Sequence, residues 1–262
     1  MNSRSLFILV FLAILLAMPV RLHAQRGGGQ RGQRGQAQAP VSAKAGAAID
    51  LTGYWISVVT EDWQFRMVTP PKGEYGSIPL SPEGRKAAGA WDSATDEAAG
   101  NQCRAYGAAG IMRVPGRLHI TWENDNTLRI DADAGTQTRL FHFDGSQPDS
   151  GEPAWQGYSL ARWEYATGQR ATTPVQERQG NLKVVTTRMR SGYLRKNGVP
   201  YSANAVMNEN YQRIQAPNGD DWLIVTAIVE DPQYLNSAFI TSTNFKKLRD
   251  ATGWNPTPCS AK

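Results

Sequence analysis

Beyond about residue 49, apolar and polar side chains alternate with a period of two over most of the chain. This is the pattern of strands that bury one face. The runs cover residues 53–60, 63–69, 117–123, 127–133, 136–143, 158–164, 182–189, 206–214, 222–230 and 239–247, and they are rich in aromatic and β-branched residues. Turn chemistry separates several of them: Asn124-Asp125-Asn126, Ala134-Gly135 and Asn218-Gly219-Asp220. About ten strands at hairpin spacing predict an all-β domain, an antiparallel sheet closed into a single barrel or folded as a sandwich.

One segment reads as a short helix. Ser81 can cap it, Pro82 suits its first turn and Glu83 favours its positive end, although Gly84 and Gly89 weaken the run towards Trp91. Residues 92–110 and 166–180 read as long loops. The meander over 117–143 can be registered by hand. A three-residue turn at 124–126 pairs Glu123 with Thr127 and so sets His119 opposite Asp131. A bulged turn with Gly135 in the left-handed position pairs Ala132 with Thr136. Ile120, Trp122, Leu128, Ile130 and Leu140 then share a core-like face. His119, Thr121, Arg129, Asp131, Arg139 and Phe141 share the other.

The N-terminus departs from this pattern. Arg4 precedes an unbroken apolar run of 13 residues, Leu6 to Met18, and Leu22-His23-Ala24 follows as a cleavage site. A run this short before a polar tract predicts a signal peptide over 1–24 and a periplasmic or secreted protein. No later stretch approaches the roughly 18 apolar residues of a spanning helix, so no transmembrane span is expected. Residues 25–48, written in Gly, Gln, Arg and Ala, carry no apolar periodicity and read as a disordered tail, its basic groups suited at most to weak contact with an anionic envelope surface.

This leader changes the meaning of the charge. The whole chain is +5 at pH 7, but residues 1–48 hold six basic groups and no acidic one. That leaves 22 Lys and Arg against 23 Asp and Glu over 49–262. A near-neutral body removes the main support for a nucleic-acid partner. Two cysteines remain, Cys103 and Cys259, and in an oxidising compartment such a pair predicts a disulfide. Neither has a second Cys or His at ligand spacing, so no metal and no cofactor are expected.

The candidates for chemistry are scattered. His119 opposite Asp131 could form an imidazole–carboxylate couple, though cross-strand salt bridges are the commoner outcome. Glu164 and Glu209 lie in aromatic surroundings and could do acid–base work on a bound sugar or lipid. No nucleophile elbow or phosphate loop is present. Tyr193 to Ser202 is a long connection, with a turn at Asn197-Gly198 and two tyrosines flanking cations, suited to the rim of a binding site. Strand alternation puts Tyr158, Arg162 and Glu164 on one face, and Glu209 with Tyr211 on one face. These placements predict a ligand site at a barrel end built from Tyr158, Arg162, Tyr201, Glu209 and Tyr211.

Two resemblances add to this. Asp50-Leu51-Thr52-Gly53-Tyr54-Trp55 resembles the Gly-x-Trp opening strand of lipocalins and other calycins, which implies a ligand-sized antiparallel barrel. Four further blocks look like a large group of uncharacterised exported bacterial proteins: the run from Gly157 to Glu164 (GYSLARWE), Leu182 to Thr187 (LKVVTT), Asn197 to Ser202 (NGVPYS) and Val229 to Leu235 (VEDPQYL). That likeness spans about residues 79–247. The group often carries His where Tyr158 and Tyr201 stand here, and the resemblance implies no reaction. The leading expectation is therefore an exported barrel that binds a small, partly apolar ligand, lipid-like or glycan. The alternatives are a lyase, hydratase or hydrolase using Glu209, Glu164 or His119, and a cell-envelope interaction module.

Overall fold

The computed structural model describes residues 40–145 and 151–262. The expected signal peptide and most of the expected tail lie outside the described residues. The chain folds as a closed barrel of nine strands with few helices. The strands are β1 (Gly53–Val58), β2 (Arg117–Asn124), β3 (Thr127–Ala132), β4 (Gln137–His142), β5 (Tyr158–Tyr165), β6 (Gly180–Thr187), β9 (Val206–Gln215), β10 (Asp221–Glu230) and β11 (Phe239–Lys247). They close in the order β1-β11-β10-β9-β6-β5-β4-β3-β2. Between β6 and β9 a separate hairpin, β7 (Gly192–Arg195) with β8 (Val199–Tyr201), turns at Asn197-Gly198.

The barrel is mixed rather than wholly antiparallel as expected. β4 and β5 pair in parallel, Phe141 with Ser159 and His142 with Leu160. A parallel pair needs a crossover instead of a tight turn, which is why a long connection separates these two strands. Period-two burial holds in each strand. Met207, Glu209 and Tyr211 of β9 point inward, as do Leu182, Val184 and Thr186 of β6. Leu182, Val184 and Tyr211 meet Trp55, Ile120, Leu128, Ile130, Phe141, Leu223, Val225 and Phe245 in one apolar core.

The run at 63–69 is not a strand. It holds α1 (Trp63–Arg66), one helical turn that packs Arg66 inward and leaves Trp63 exposed. The helix α2 (Pro82–Gly89) forms as read, with Ser81 Oγ accepting from the Gly84 N–H at 3.0 Å. Gly84 has a packing reason: a Cβ there would lie 2.4 Å from the carbonyl oxygen of Tyr234. The expected loop at 92–110 instead carries α3 (Ser93–Ala98), a 3₁₀ turn at Arg104–Tyr106 and α4 (Ala108–Ile111). These short helices escape a periodicity reading because none spans two full turns.

The first hairpin is registered nearly as read, with His119 opposite Asp131 and Trp122 opposite Leu128. A bulge replaces the Glu123 pairing, so Asn124 faces Thr127. The second hairpin differs by one residue. Thr136 as well as Gly135 has positive φ, the turn is four residues long, and Ala132 pairs with Gln137. A one-residue slip sends every side chain of the strand to the opposite face. Arg139 and Phe141 therefore point into the core, and Leu140 points to solvent.

Both barrel ends are covered. At the end where β9 starts, α2, α4 and the β7–β8 hairpin pack a second core of Leu80, Ala88, Leu194, Val199, Tyr201 and Phe239. A Cys103–Cys259 disulfide joins the 3₁₀ turn to the C-terminal segment beside it. At the other end residues 40–48, expected within a disordered tail, belong to the compact unit Pro40–Lys262. Trp163 Nε1 donates to the Ala43 carbonyl at 2.8 Å, the Tyr165 hydroxyl donates to the Gly46 carbonyl at 2.6 Å, and Arg178 donates to the carbonyls of Ala45 and Ala47. A segment without apolar periodicity can still bind through its backbone, which a pattern of side chains does not reveal. Among the described residues no helix is long and apolar enough to cross a membrane.

Candidate functional site

The residues expected to converge do not all do so. Glu209 and Tyr211 face the barrel interior and are fully enclosed. Their neighbour is Arg139, which the one-residue slip brings inward. Arg139 donates from Nη1 to Glu209 Oε1 at 2.9 Å and from Nη2 to Oε2 at 2.6 Å, with further bonds to the Tyr211 hydroxyl and Thr186 Oγ1. The Tyr211 hydroxyl donates to Glu209 Oε1 at 2.9 Å. Burial, reinforced by the Glu209 carboxylate, holds the Tyr211 phenol well above its usual range. Both carboxylate oxygens of Glu209 are thus claimed by protein donors in a packed core. This is a bidentate buried ion pair, a poor acid or base for a substrate and a specifier of core geometry.

Arg162 and Glu164 lie on the outer face of β5 and are exposed, with Glu164 beside Lys183 at 3.6 Å. The odd-numbered residues of that strand, from Ser159 to Trp163, are the ones that pack inward. The expectation that Arg162 points to a cavity is therefore corrected. Tyr158 is also outside, stacked on His142 with ring centroids 4.7 Å apart. His119 stacks on Tyr54 at 4.0 Å and meets Trp254 edge-on. Asp131 opposite it is occupied elsewhere: burial opposes its ionisation, but hydrogen bonds from Arg129 and Thr138 outweigh that and hold the carboxyl below its usual range. The imidazole–carboxylate couple thus has its acid already engaged on the barrel surface.

Tyr201 is the expected residue that reaches a cleft. That cleft lies at the barrel end where β9 starts, between α2–α3 and the β7–β8 hairpin. It measures about 330 Å³ and is lined by Trp91, Asp96, Arg104, Tyr193, Tyr201 and Tyr234, among others. A neighbouring hollow of about 450 Å³ shares Arg104 and Ser191 with it and adds Trp155 and Arg190, whose guanidinium lies 4.3 Å from the Trp155 ring centre.

Local sequence explains the walls. Asp92 caps α3 by accepting from the Ala94 N–H at 2.9 Å, which starts a helix that presents Asp96. Gly198, at φ 82°, makes the hairpin turn, and a Cβ there would meet Trp91 at about 2.1 Å, so the glycine both permits the turn and seats the indole. Gly107 and Gly192 press on the Tyr201 ring: a Cβ on either would lie 2.3 and 2.6 Å from its hydroxyl.

The polar groups fall into two kinds. Asp96, Arg104 and Tyr193 bind one another: the Tyr193 hydroxyl donates to Asp96 Oδ2 at 2.7 Å, and Arg104 Nη1 donates to Asp96 Oδ1 at 2.9 Å and to the Tyr193 hydroxyl at 3.0 Å. Burial and the Asp96 carboxylate push the Tyr193 phenol well up, so it stays a hydrogen-bond donor at neutral pH. The Tyr201 hydroxyl and Trp91 Nε1, by contrast, are buried without a partner in the protein. Burial likewise raises the Tyr201 phenol above its ordinary range, against the opposing pull of Arg104 and Arg139. Unpartnered buried donors cost about 1–3 kcal/mol each, and both of these belong to residues that line the cleft.

Tyr193 and Tyr201 were legible as rim residues from their placement around Asn197-Gly198. Trp91, Asp96, Arg104 and Tyr234 were not, since they come from loop and short-helix segments that lack a pattern. Among the described residues no three His, Cys, Asp or Glu side chains are grouped to hold a metal. No family model matches the chain, and no curated protein and no solved structure matches it significantly.

Proposed function

We propose that this is an exported binding protein for a small, partly apolar ligand, taken in the cleft at one barrel end and not inside the barrel. The observation that carries the reading is the pair of unclaimed buried donors, Tyr201 Oη and Trp91 Nε1, set beside a fixed Asp96–Arg104–Tyr193 network and the Tyr234 ring. Aromatic faces with convergent polar groups suit a sugar ring, whose C–H face stacks while its hydroxyls bond. The ligand class is accordingly a neutral glycan of one or two rings, matched to the cleft volume. Export is supported by the apolar leader, by the likeness to exported bacterial proteins and by the Cys103–Cys259 bond. The test is titration with cellobiose and diacetylchitobiose, followed by tryptophan fluorescence. Saturable quenching that Trp91→Ala abolishes supports the reading; no response to either sugar counts against it.

A second reading, a protein-interaction module, draws on a different observation. The barrel is filled by its own side chains, and Trp63, Met67 and Val68 stand 64%, 60% and 70% exposed on one short segment. Exposed apolar clusters of this kind mark contact surfaces. Cross-linking from position 63 in an envelope extract should then capture a single defined partner, which Trp63→Ser removes.

A further inference from the structure

The cleft described above is not the only cationic hollow at this end of the barrel. Phe65 and Arg66 of α1, Arg113 and Pro115 after α4, and Leu194 to Lys196 of the β7–β8 hairpin enclose a smaller cavity of about 40 Å³. Arg66, Arg113 and Arg195 are 8%, 8% and 6% exposed, so three guanidinium groups are buried together. Their protein partners do not exhaust them. Arg66 pairs with Glu61 and donates from Nε to the Arg113 carbonyl at 2.9 Å; Arg113 Nη2 reaches Asp62 at 2.8 Å; Arg195 Nη2 donates to the Gly76 carbonyl at 3.0 Å and to Ser77 Oγ at 3.1 Å. That leaves Arg66 Nη2, Arg113 Nη1 and Arg195 Nε buried with no acceptor.

Charge points the same way. With Lys196 the surroundings hold four cations, against the carboxylates of Glu61, Asp62 and Glu74. Burial lowers the Arg195 guanidinium to about 10, with Arg113 adding to the effect; burial also lowers Arg66, again with Arg113 contributing. Three desolvated like charges with unused N–H donors form a site whose missing component is an anion.

The other walls are apolar: Phe65, Val68, Val114, Pro115 and Leu194. Val68 leads out to the exposed Trp63 and Met67. A volume of about 40 Å³ accepts roughly three water-sized groups, the size of a carboxylate head but tight for a tetrahedral oxyanion. We propose that this cavity is a second, separate ligand site that takes a monocarboxylate with an apolar tail, the head held by Arg66, Arg113 and Arg195 and the tail lying over Val68.

The experiment is calorimetric titration of the folded protein with sodium octanoate, with 1-octanol and inorganic phosphate in parallel. One octanoate should bind per chain, and octanol should bind at least tenfold more weakly, since a charged hydrogen bond contributes on that scale. Arg195→Gln should weaken octanoate by roughly tenfold or more. Because Arg195 also ties down residues 74–77, Val68→Asp serves as the second variant: it is exposed, spares the fold and places a competing carboxylate at the mouth, so it should weaken octanoate by a similar factor. Trp91→Ala should leave octanoate untouched, which keeps this site distinct from the glycan cleft. Equal binding of octanol, binding of phosphate in place of octanoate, unchanged octanoate binding in Val68→Asp, or no binding at all would each overturn the proposal.

Discussion

At the scale of the residue, the decisive side chain is Arg139. Its sequence environment, Thr138-Arg139-Leu140-Phe141, offers two equally alternating registers, and only the turn before it selects one. Thr136 adopts a left-handed φ of 49°, an uncommon state for a β-branched residue, and this extra turn residue carries Arg139 inward. Reading Gly135 alone as the left-handed position puts the arginine on the wrong face and hides the partner of Glu209. The pair makes a sharp energetic prediction. Glu209→Ala should destabilise by about 3–5 kcal/mol, because it strands a buried guanidinium, whereas replacing both members by leucine or methionine should cost far less or stabilise. Denaturant melts of the single and double variants check this; equal losses in both would show that the pair itself drives stability. Tyr201→Phe belongs at the same scale. Its hydroxyl is buried with no partner in the protein, so removing it should raise folding stability, by up to about 1–3 kcal/mol, while weakening any ligand that the hydroxyl binds.

At the scale of the element, all nine barrel strands were legible because period-two burial leaves a strong trace. Met207, Glu209 and Tyr211 alternate with polar neighbours even where one of the inward residues is charged. What was not legible is the material between strands. Trp63 to Arg66 alternates well enough to pass for a strand, yet it is one helical turn, entered from Asp62 in the left-handed region at φ 48°. The strap at 40–48 is the clearest case of structure without pattern, as most of its bonds run through its backbone: carbonyls accept from Trp163, Tyr165 and Arg178, and the Ala43 and Lys44 N–H groups donate to Asn126 and Asp125. These bonds, at about 1 kcal/mol each, predict that a chain beginning at Ile49 melts several degrees below one beginning at Pro40. Coincident melting curves would show that the strap is bound too weakly to matter.

At the scale of the whole molecule, the barrel is a packed scaffold and its two ends differ. One end is strapped by residues 40–48. The other carries the aromatic cleft, the arginine cavity and the disulfide. That bond closes a separation of 156 residues, and in the chain-entropy model a loop of this length stabilises by about 4–5 kcal/mol. Reduction should therefore lower the melting temperature markedly and loosen the C-terminal segment at the cleft end first, which hydrogen exchange on residues 248–262 before and after reduction would detect. That Tyr193 and Tyr201 sit together beside a cleft was legible from the Asn197-Gly198 turn between them. The rest of the cleft was not, because Trp91, Asp96, Arg104 and Tyr234 are brought together by tertiary contacts of segments far apart in the chain.

The proposed function places ligands at the end covered by α2, α4 and the β7–β8 hairpin and leaves the barrel interior a structural role. The most direct measurement is a fluorescence titration with diacetylchitobiose of three proteins: the unaltered chain, Trp91→Ala, and the Arg139→Met/Glu209→Leu double variant. Saturable binding by the first, loss in the second, and an affinity in the third within about threefold of the first are expected, since neither Arg139 nor Glu209 lines the cleft. Binding that survives Trp91→Ala but disappears with the interior pair would contradict this placement.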